Sequence, residues 1–357
     1  MTTKNTSRSS GSPKPTQRSV SPQGQKANEQ KAQKQKSKQK GQYRIRSWHD
    51  YNTALVQRGS LIPWLNKDVL TNWRNQEHTG LRGKPRFYSE QAIFCALRLR
   101  EVYRLPLRAT EGLLRSLITL PGSDQRVPNY STLCRRQMGL AVDLSVVTEN
   151  TTEPVEPLHL VIDGTGLKVF GDGEWKVRQH GVSKSYSSKR RVWRKVHLAV
   201  DQKTGHVQAA ATTASSISDG EMLPKLLEQV PQTIGQVSTD GGYDRRTCYE
   251  AIARRQAKAA IPPRRGAKIW QRGNRKQERL ARDENLRRIR QVGRAKWKRE
   301  SGYPRRSLAE TAMFRLKTIF GSALRARTDA AQDTETKLRL SALNQMTALG
   351  IPDAYLL

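Results

Sequence analysis

The chain has 357 residues, enough for two domains, but only 35% of them are hydrophobic and 6% aromatic. Its formal net charge of +34 predicts a polyanionic partner, first of all nucleic acid. The sequence contains neither a run of about 18 apolar residues that could span a bilayer nor the apolar core of a signal peptide.

Three cysteines are scattered along the chain, at Cys95, Cys134 and Cys248. Their spacing fits neither a zinc site nor a disulfide framework, and this usage is typical of a reducing compartment. We therefore expect a cytoplasmic protein, associated with the nucleoid if its partner is DNA.

Residues 1–42 are rich in Ser, Pro, Gln, Gly and Lys and contain almost nothing apolar. Such a segment buries too little surface to offset the entropy of ordering, so it is predicted to be a disordered basic tail. The positive block from Lys31 to Lys40 would contact phosphates without sequence preference. A tail that only improves solubility is the alternative.

Residues 43–140 are predicted to form a helical domain that begins with the first aromatic residues. Helices are expected from Glu90 to Tyr103 and from Leu107 to Ile118. A third, short helix follows with Ser131 as its N-cap. Because this last helix is basic, carrying Arg135 and Arg136, the group resembles a helix-turn-helix DNA-binding module. A structural bundle or a dimerisation element is the alternative, and residues 141–157 are a predicted linker.

After residue 157 the pattern changes to short apolar runs separated by turn signals, which is typical of an α/β domain with a mixed sheet. A capping box at Ser218 and Glu221 predicts one helix, and further helices are expected near residues 244–256 and 304–320. The predicted strands are 158–163, 167–170, 175–177, 192–200, 206–214, 234–239 and 259–261.

The segment 264–302 is dense in Arg and Lys, with Trp270 and Trp297 between them. Basic residues interleaved with aromatic ones are typical of a nucleic-acid surface. A solvated helix face is the alternative interpretation. A C-terminal helical segment is expected over residues 326–357.

Two aspartates, Asp163 and Asp240, are predicted to end strands, and Glu310 lies on the helix that follows the basic segment. At about 100° per residue, Glu310 shares one helical face, within roughly 60°, with three other side chains. These are Tyr303, Arg306 and Lys317. Carboxylates bind divalent metals, and adjacent cations bind phosphates. The competing interpretation of Glu310 is a capping box with Ser307.

Several stretches together resemble the DDE transposases of bacterial insertion sequences, in particular the insertion-sequence-five family. They are Leu-Val-Ile-Asp-Gly-Thr-Gly-Leu-Lys at 160–168, Trp-Arg-Lys-Val-His-Leu-Ala-Val-Asp at 193–201 and Arg-Arg-Ser-Leu-Ala-Glu-Thr-Ala-Met at 305–313. The Tyr-Arg-Glu-Lys signature at 303, 306, 310 and 317 belongs to the same resemblance. It extends from about Tyr51 to Pro352, and the Lys-rich tail departs from it.

The resemblance implies a ribonuclease H-like catalytic domain over residues 158–325, with the basic segment 264–302 as its insertion. It implies that Asp163, Asp240 and Glu310 are catalytic and hold two Mg²⁺ ions, with Mn²⁺ as the expected substitute. One ion would activate the attacking water or 3′-hydroxyl, and the other would stabilise the leaving oxygen. Tyr303, Arg306 and Lys317 would bind phosphates of the terminal DNA strand.

The expected function is therefore cleavage of DNA at the terminal inverted repeats of an insertion sequence and transfer of the cut strand to target DNA. The expected partners are double-stranded DNA and a second copy of the chain, because two ends must be brought together. Two alternatives remain at this point. One is a transposon-derived DNA-binding protein without cleavage activity, and the other is an actin-like ATPase or sugar kinase, whose phosphate loops resemble Asp163-Gly-Thr-Gly.

Overall fold

The computed structural model describes residues 43–75, 85–120, 125–144, 156–169, 193–271 and 280–356. The described residues fall into two units, 43–48 with 352–356 and 49–351. The helices are α1 (Trp48–Gly59), α2 (Lys67–Thr71), α3 (Glu90–Val102), α4 (Leu107–Thr119), α5 (Tyr130–Gln137), α6 (Asp219–Glu228), α7 (Arg246–Arg254), α8 (Ala281–Val292), α9 (Arg294–Glu300), α10 (Ser307–Phe320) and α11 (Asp329–Ala348). The strands are β1 (Tyr43–Ile45), β2 (Leu158–Val169), β3 (Trp193–Asp201), β4 (Val207–Ala214), β5 (Ile234–Ser238), β6 (Lys258–Ala260), β7 (Ala323–Leu324) and β8 (Ala354–Leu356).

The smaller unit contains one antiparallel pair of short strands. β1 pairs with β8 so that Arg44 lies opposite Tyr355. The backbone N–H of Arg46 donates to the carbonyl of Asp353 at 2.8 Å, which extends the pairing by one further bond.

The larger unit contains a mixed sheet, as the sequence predicts, with the strand order β4-β3-β2-β5-β6 and with β7 beside β2. β2 is antiparallel to β3 and parallel to β5 and β7. The predicted hairpin between β3 and β4 is confirmed. Its turn is closed by Gly205 at φ +72°, a conformation that glycine adopts without steric penalty.

Alternate residues of β2 face opposite sides of the sheet and enter two different cores. Leu160 and Ile162 pack with α6 and α7, whereas Val161 and Leu167 pack in a core shared with α3, α10 and α11. The side chain of Asp163 has the same parity as Val161 and Leu167. It therefore lies on the face covered by α10, the helix that carries Glu310.

The N-terminal helices pack against this second core, so they form one unit with the sheet. The predicted helices beginning at Glu90 and Leu107 are confirmed. Ser89 caps the first, because its hydroxyl accepts the Ala92 N–H at 3.0 Å. The third helix is confirmed as well, but its N-cap is Asn129 and not Ser131, since the Asn129 side chain accepts the Ser131 N–H.

Two strand predictions in the sheet are corrected. Residues 158–169 are one continuous strand, where the sequence predicts a turn after Asp163 and a new strand at Leu167. The glycines at 164 and 166 do not end the strand because β3 pairs with it as far as Lys168. Asp163 therefore lies within β2 and not at its end.

Helix termini provide two further corrections. Ser218 is the N-cap of α6, but its hydroxyl donates to the Glu221 carboxylate and makes no cap bond to the backbone. At α10, the hydroxyl of Ser307 donates to the Pro304 carbonyl, so the capping-box interpretation of Glu310 is wrong. Residues Tyr303–Arg306 form a 3-10 turn ahead of α10 where one helix is predicted.

Several predictions lie outside the described residues. They are the tail 1–42 and the strand 175–177. Parts of the linker and of the basic insertion, 145–155 and 272–279, lie outside as well. The predicted domain boundaries stay predictions.

A buried ionic network joins α3 to α11. Glu101 accepts from Arg339 at 2.9 Å and from Arg325 at 2.7 Å, and Glu335 contacts both arginines. The Glu335 carboxylate also accepts the backbone N–H groups of Arg325 and Ala326. Each charge is thus paired, which is the condition for holding it inside a protein.

We expect Glu335→Ala to lower the free energy of unfolding by about 3–5 kcal/mol, because it removes one of the two carboxylates that pair buried Arg339 and leaves two backbone N–H groups without their acceptor. A urea titration followed by circular dichroism measures the change. Glu156→Ala is the matched control, since Glu156 and its partner Lys203 are both 73% exposed and should leave the midpoint unchanged. Equal midpoints for both variants would contradict the structural role of the network.

Candidate active site

The sheet brings Asp163 and Asp240 together. β5 runs parallel to the first part of β2 and its pairing ends at Val161 and Ser238. Asp240 follows Ser238 by two residues and caps a 3-10 turn, where its carboxylate accepts the Gly242 N–H at 2.8 Å. Both carboxylates therefore lie where β5 leaves the sheet while β2 continues.

A single guanidinium connects the strand aspartate to the helix glutamate. Arg306 donates through one nitrogen to Oδ2 of Asp163 at 2.8 Å and through the other to Oε1 of Glu310. A guanidinium carries several donors in one plane, so it can bridge two carboxylates in this way. Asp163 and Glu310, which the sequence predicts to lie close together, therefore share Arg306 as a hydrogen-bond donor.

The electrostatics show that the charges of the two other acidic residues reach Asp163. Burial raises the pKa of Asp163 above its ordinary value, and the charges of Asp240 and Glu310 add to that shift. The Gly164 N–H, which donates to Asp163 at 2.8 Å, and the charge of Arg306 oppose it. The site thus concentrates negative charge that Arg306 neutralises in part.

The two other signature residues, Lys317 and Tyr303, lie close to Asp163 or to Arg306. Lys317 donates from Nζ to the hydroxyl of Thr165 at 2.6 Å, two residues beyond Asp163 on the same side of β2. Tyr303 lies between two cations, with Nζ of Lys298 4.7 Å and Cζ of Arg306 6.0 Å from its ring centre. Burial raises the pKa of the Tyr303 hydroxyl. Glu310 and Lys317 thus keep their predicted spacing on α10, and Arg306 contacts Asp163 from the 3-10 turn that precedes this helix.

Two family models described as transposase DDE domain match the chain, one over residues 56–172 and the other over residues 154–345. The second match covers more than half of the 357 residues. The chain is a DDE transposase. It is therefore an enzyme that acts on DNA, which confirms the predicted class of enzyme. Among the residues described, no helix is long and apolar enough to cross a membrane.

The transposase has a second charged cluster on the reverse face of β2, which the sequence analysis missed. Asp219, at the start of α6, contacts Nζ of Lys195 at 2.7 Å and Nδ1 of His197 at 3.1 Å. These two partners, despite opposition from burial, lower the pKa of Asp219. A Cβ on Gly164 would lie 2.2 Å from Oδ1 of Asp219, so only glycine admits this carboxylate behind Asp163. The sequence signal for this cluster was Gly164, the glycine directly after Asp163.

The two tryptophans of the basic segment have structural roles, contrary to the predicted nucleic-acid surface. Trp297 is 3% exposed and is packed inside the unit. Trp270 lies edge-on to Tyr249, and the guanidinium of Arg282 stacks 3.9 Å from its ring. That guanidinium also binds Asp244, four residues after Asp240, at 2.7 Å. This part of the segment therefore braces the loop that carries Asp240.

The two arginines predicted to read DNA differ in their surroundings. Arg136 donates to the carbonyl of Tyr88 at 3.1 Å and contacts Glu90 at 3.5 Å, so its guanidinium is held within the helical layer. Arg135 is exposed and lines an open cavity of about 400 Å³ with Arg108 and Tyr130. A role in DNA reading stays a prediction for both.

The donor set of Asp163, Asp240 and Glu310 fits a hard divalent cation, because it consists of carboxylate oxygens with mutually repelling charges. In this conformation Asp163 and Glu310 share the guanidinium of Arg306. Within the described residues, no three acidic, histidine or cysteine side chains converge closely enough to hold a metal ion. A metal would therefore need Arg306 to move away from these carboxylates.

We expect Asp163→Asn to make the metal-free protein more stable at neutral pH. The pKa of Asp163 is higher in the folded protein than in the unfolded chain, so its carboxyl loses its proton more readily in the unfolded chain. Above the folded pKa the ionised side chain therefore destabilises the fold. Asparagine has the same shape and no charge, and Arg306 keeps Glu310 as a partner.

Urea titrations of both proteins over a pH series measure this effect. The gain should shrink as the pH falls toward the ordinary pKa of an aspartate, where the wild-type side chain becomes protonated as well. A variant that is less stable than the wild type at neutral pH would show that the contact with Arg306 outweighs the burial of the charge.

Proposed function

We propose that Asp163, Asp240 and Glu310 are the catalytic carboxylates of this transposase, in a ribonuclease H-like arrangement. The observation that supports this most is the bridge from Arg306, which joins Asp163 to a glutamate far away in the sequence. The charge of Asp240 acts on the same aspartate. The proposed reaction is cleavage at the terminal inverted repeats of an insertion sequence, followed by transfer of the cut strand to target DNA.

The three carboxylates would hold Mg²⁺, or Mn²⁺ in its place. The metal would activate the attacking water or DNA 3′-hydroxyl and stabilise the leaving oxygen. The protein's own groups have a separate task, which is to position the strand. Lys317 and Arg306 lie within reach of Asp163 or its neighbour Thr165, so phosphates beside the scissile bond would bind there.

Arg306 has two alternative classes of partner in this proposal. Without DNA its guanidinium binds Asp163 and Glu310. A phosphate offers the same guanidinium a bidentate site of equal geometry. When Arg306 binds DNA, the carboxylates become available to a cation, so DNA binding and metal binding favour each other.

Recognition of the element's own ends is assigned to residues 43–140, with Arg135 on the exposed side of α5. The Lys-rich tail before Tyr43 would add phosphate contacts that weaken steeply with salt. The motifs at 160–168, 193–201 and 305–313 favour the insertion-sequence-five family as the subtype. Because two element ends must be joined, a second copy of the chain is the proposed protein partner.

Replacing any one of Asp163, Asp240 and Glu310 with Ala should abolish nicking while leaving DNA binding nearly intact, since these groups bind metal and not DNA. The substrate is a labelled duplex carrying the DNA that flanks the coding sequence, incubated with Mg²⁺. Gel analysis measures nicking, and a binding titration without metal measures affinity. A variant that nicks at the wild-type rate would remove that residue from the site, and a wild type that binds without nicking would favour a DNA-binding protein.

Arg306→Gln should change two affinities in opposite directions. It should weaken binding to DNA, because a phosphate contact is lost. The number of counterions released on binding, read from the salt dependence of the affinity, should fall by about one. It should strengthen binding of Mn²⁺ to the DNA-free protein, because a competing cation has left the carboxylates. Calorimetric titration measures both.

Arg305→Gln is the matched control for this experiment. It removes the same charge from an exposed side chain one residue away. It should weaken DNA binding by a similar or smaller amount and leave Mn²⁺ affinity unchanged. If both variants bind Mn²⁺ equally, then Arg306 does not compete with the metal.

A further inference from the structure

Phe314 is a large apolar side chain that α10 presents to solvent. It is 69% exposed, whereas Ala312, Met313 and Leu316 on the same helix are buried. At about 100° per residue, Phe314 is roughly 40° from Glu310 and roughly 60° from Lys317 around the helix axis. It therefore lies on the face that carries the signature residues, although the sequence analysis did not include it.

Single exposed apolar residues are common on protein surfaces, so exposure alone indicates nothing. Its neighbours distinguish this position. Glu310 and Arg306 precede it on one face, and Lys317 follows it, hydrogen-bonded to Thr165 beside Asp163. An aromatic ring thus stands within a row of groups to which the proposed function assigns metal and phosphate binding.

We propose that Phe314 stacks on the terminal base of a DNA end whose phosphate lies at the acidic site. This inference rests on the proposed function and adds a specific contact to it. An aromatic ring binds the face of any base, and basic residues beside it bind the backbone. The row around Phe314 combines these two kinds of group.

The dimensions of the helix agree with this contact. Phe314 follows Glu310 by four residues, which is about 6 Å along the helix axis. Successive bases of a duplex strand are separated by about 3.4 Å, so on DNA that ran along α10 the ring would lie about two nucleotides from a phosphate held by the metal at Glu310. A ring at that distance reaches the last base of a strand that ends in the site.

The uncovered face of a terminal base distinguishes a cut DNA end from the interior of a duplex. Inside a duplex, each base is covered on both faces by its neighbours, so Phe314 could reach a base only by unstacking it. The last base pair at a cut end has one uncovered face. Phe314 therefore recognises that the DNA has an end, irrespective of its sequence, and would hold the cleaved strand in place for its transfer.

The test compares binding of a short blunt duplex of arbitrary sequence with two altered duplexes. In one, both ends are closed by hairpin loops, and in the other, the terminal bases are replaced by abasic residues. Ca²⁺ replaces Mg²⁺ in the titrations, because a phosphate beside the three carboxylates needs a cation to offset their charge. The wild type should bind the blunt duplex about tenfold more tightly than either altered duplex, which is the size of one base–aromatic stacking contact.

The variants convert this comparison into a double-mutant cycle. Phe314→Ala should bind all three duplexes alike, at the level the wild type shows for the abasic one. Phe314→Tyr keeps a ring and should keep the preference for the blunt end. Ile351→Ala removes an apolar side chain that is 46% exposed away from the signature row, and it should behave as the wild type.

Two results would overturn the inference. The first is an equal loss of affinity on base removal in the wild type and in Phe314→Ala, or no loss in the wild type. The second is a change of oligomeric state in Phe314→Ala without a change in end preference, which would assign the ring to a contact between copies of the chain. Because no cleavage is measured, failure here is independent of the nicking experiment on the three carboxylates.

Discussion

The bridge from Arg306 to Asp163 and Glu310 is the interaction on which the candidate active site depends. Three carboxylates gathered beside a sheet repel one another, and burial makes the charge of Asp163 still less favourable. A cation must offset that repulsion in every state of the enzyme. The guanidinium provides it without metal, and a metal with DNA would replace it. The contact thus offsets part of that cost in the DNA-free protein, and in the proposed mechanism it is the contact that must break before metal binds.

The strand and the loop that carry the two aspartates are braced from behind. Asp219 occupies the space left by Gly164 and is itself held by Lys195. The loop after Asp240 is tied by Asp244 to the buried guanidinium of Arg282. Catalytic groups work when their supports leave little freedom, because small displacements strongly reduce rates. The insertion between Asp240 and Glu310 therefore contributes to the geometry of the site as well as to the positive charge.

Some features of this molecule stabilise the fold, whereas others, in the candidate active site, lower its stability. The network of Glu101, Glu335 and Arg339 pairs its own buried charges and joins the helical layer to α11. Asp163, in contrast, has a raised pKa, and Phe314 leaves apolar surface in water. Local features of this kind are expected where function is selected over stability. Their position beside the signature residues of α10 and β2 supports the proposal that this is the functional face.

The sequence by itself determined the features that depend on local periodicity. The spacing of Glu310 and Lys317 on α10, the hairpin at Gly205 and the starts of the helices at Glu90 and Leu107 follow from residues within a few positions of one another. The tertiary structure alone decided which distant groups meet. Pairing with β3 kept β2 continuous through Asp163, packing buried Trp297, and the contact with Tyr88 engaged Arg136. Strand register and side-chain partners are set by contacts between residues far apart in the chain, and no local pattern records them.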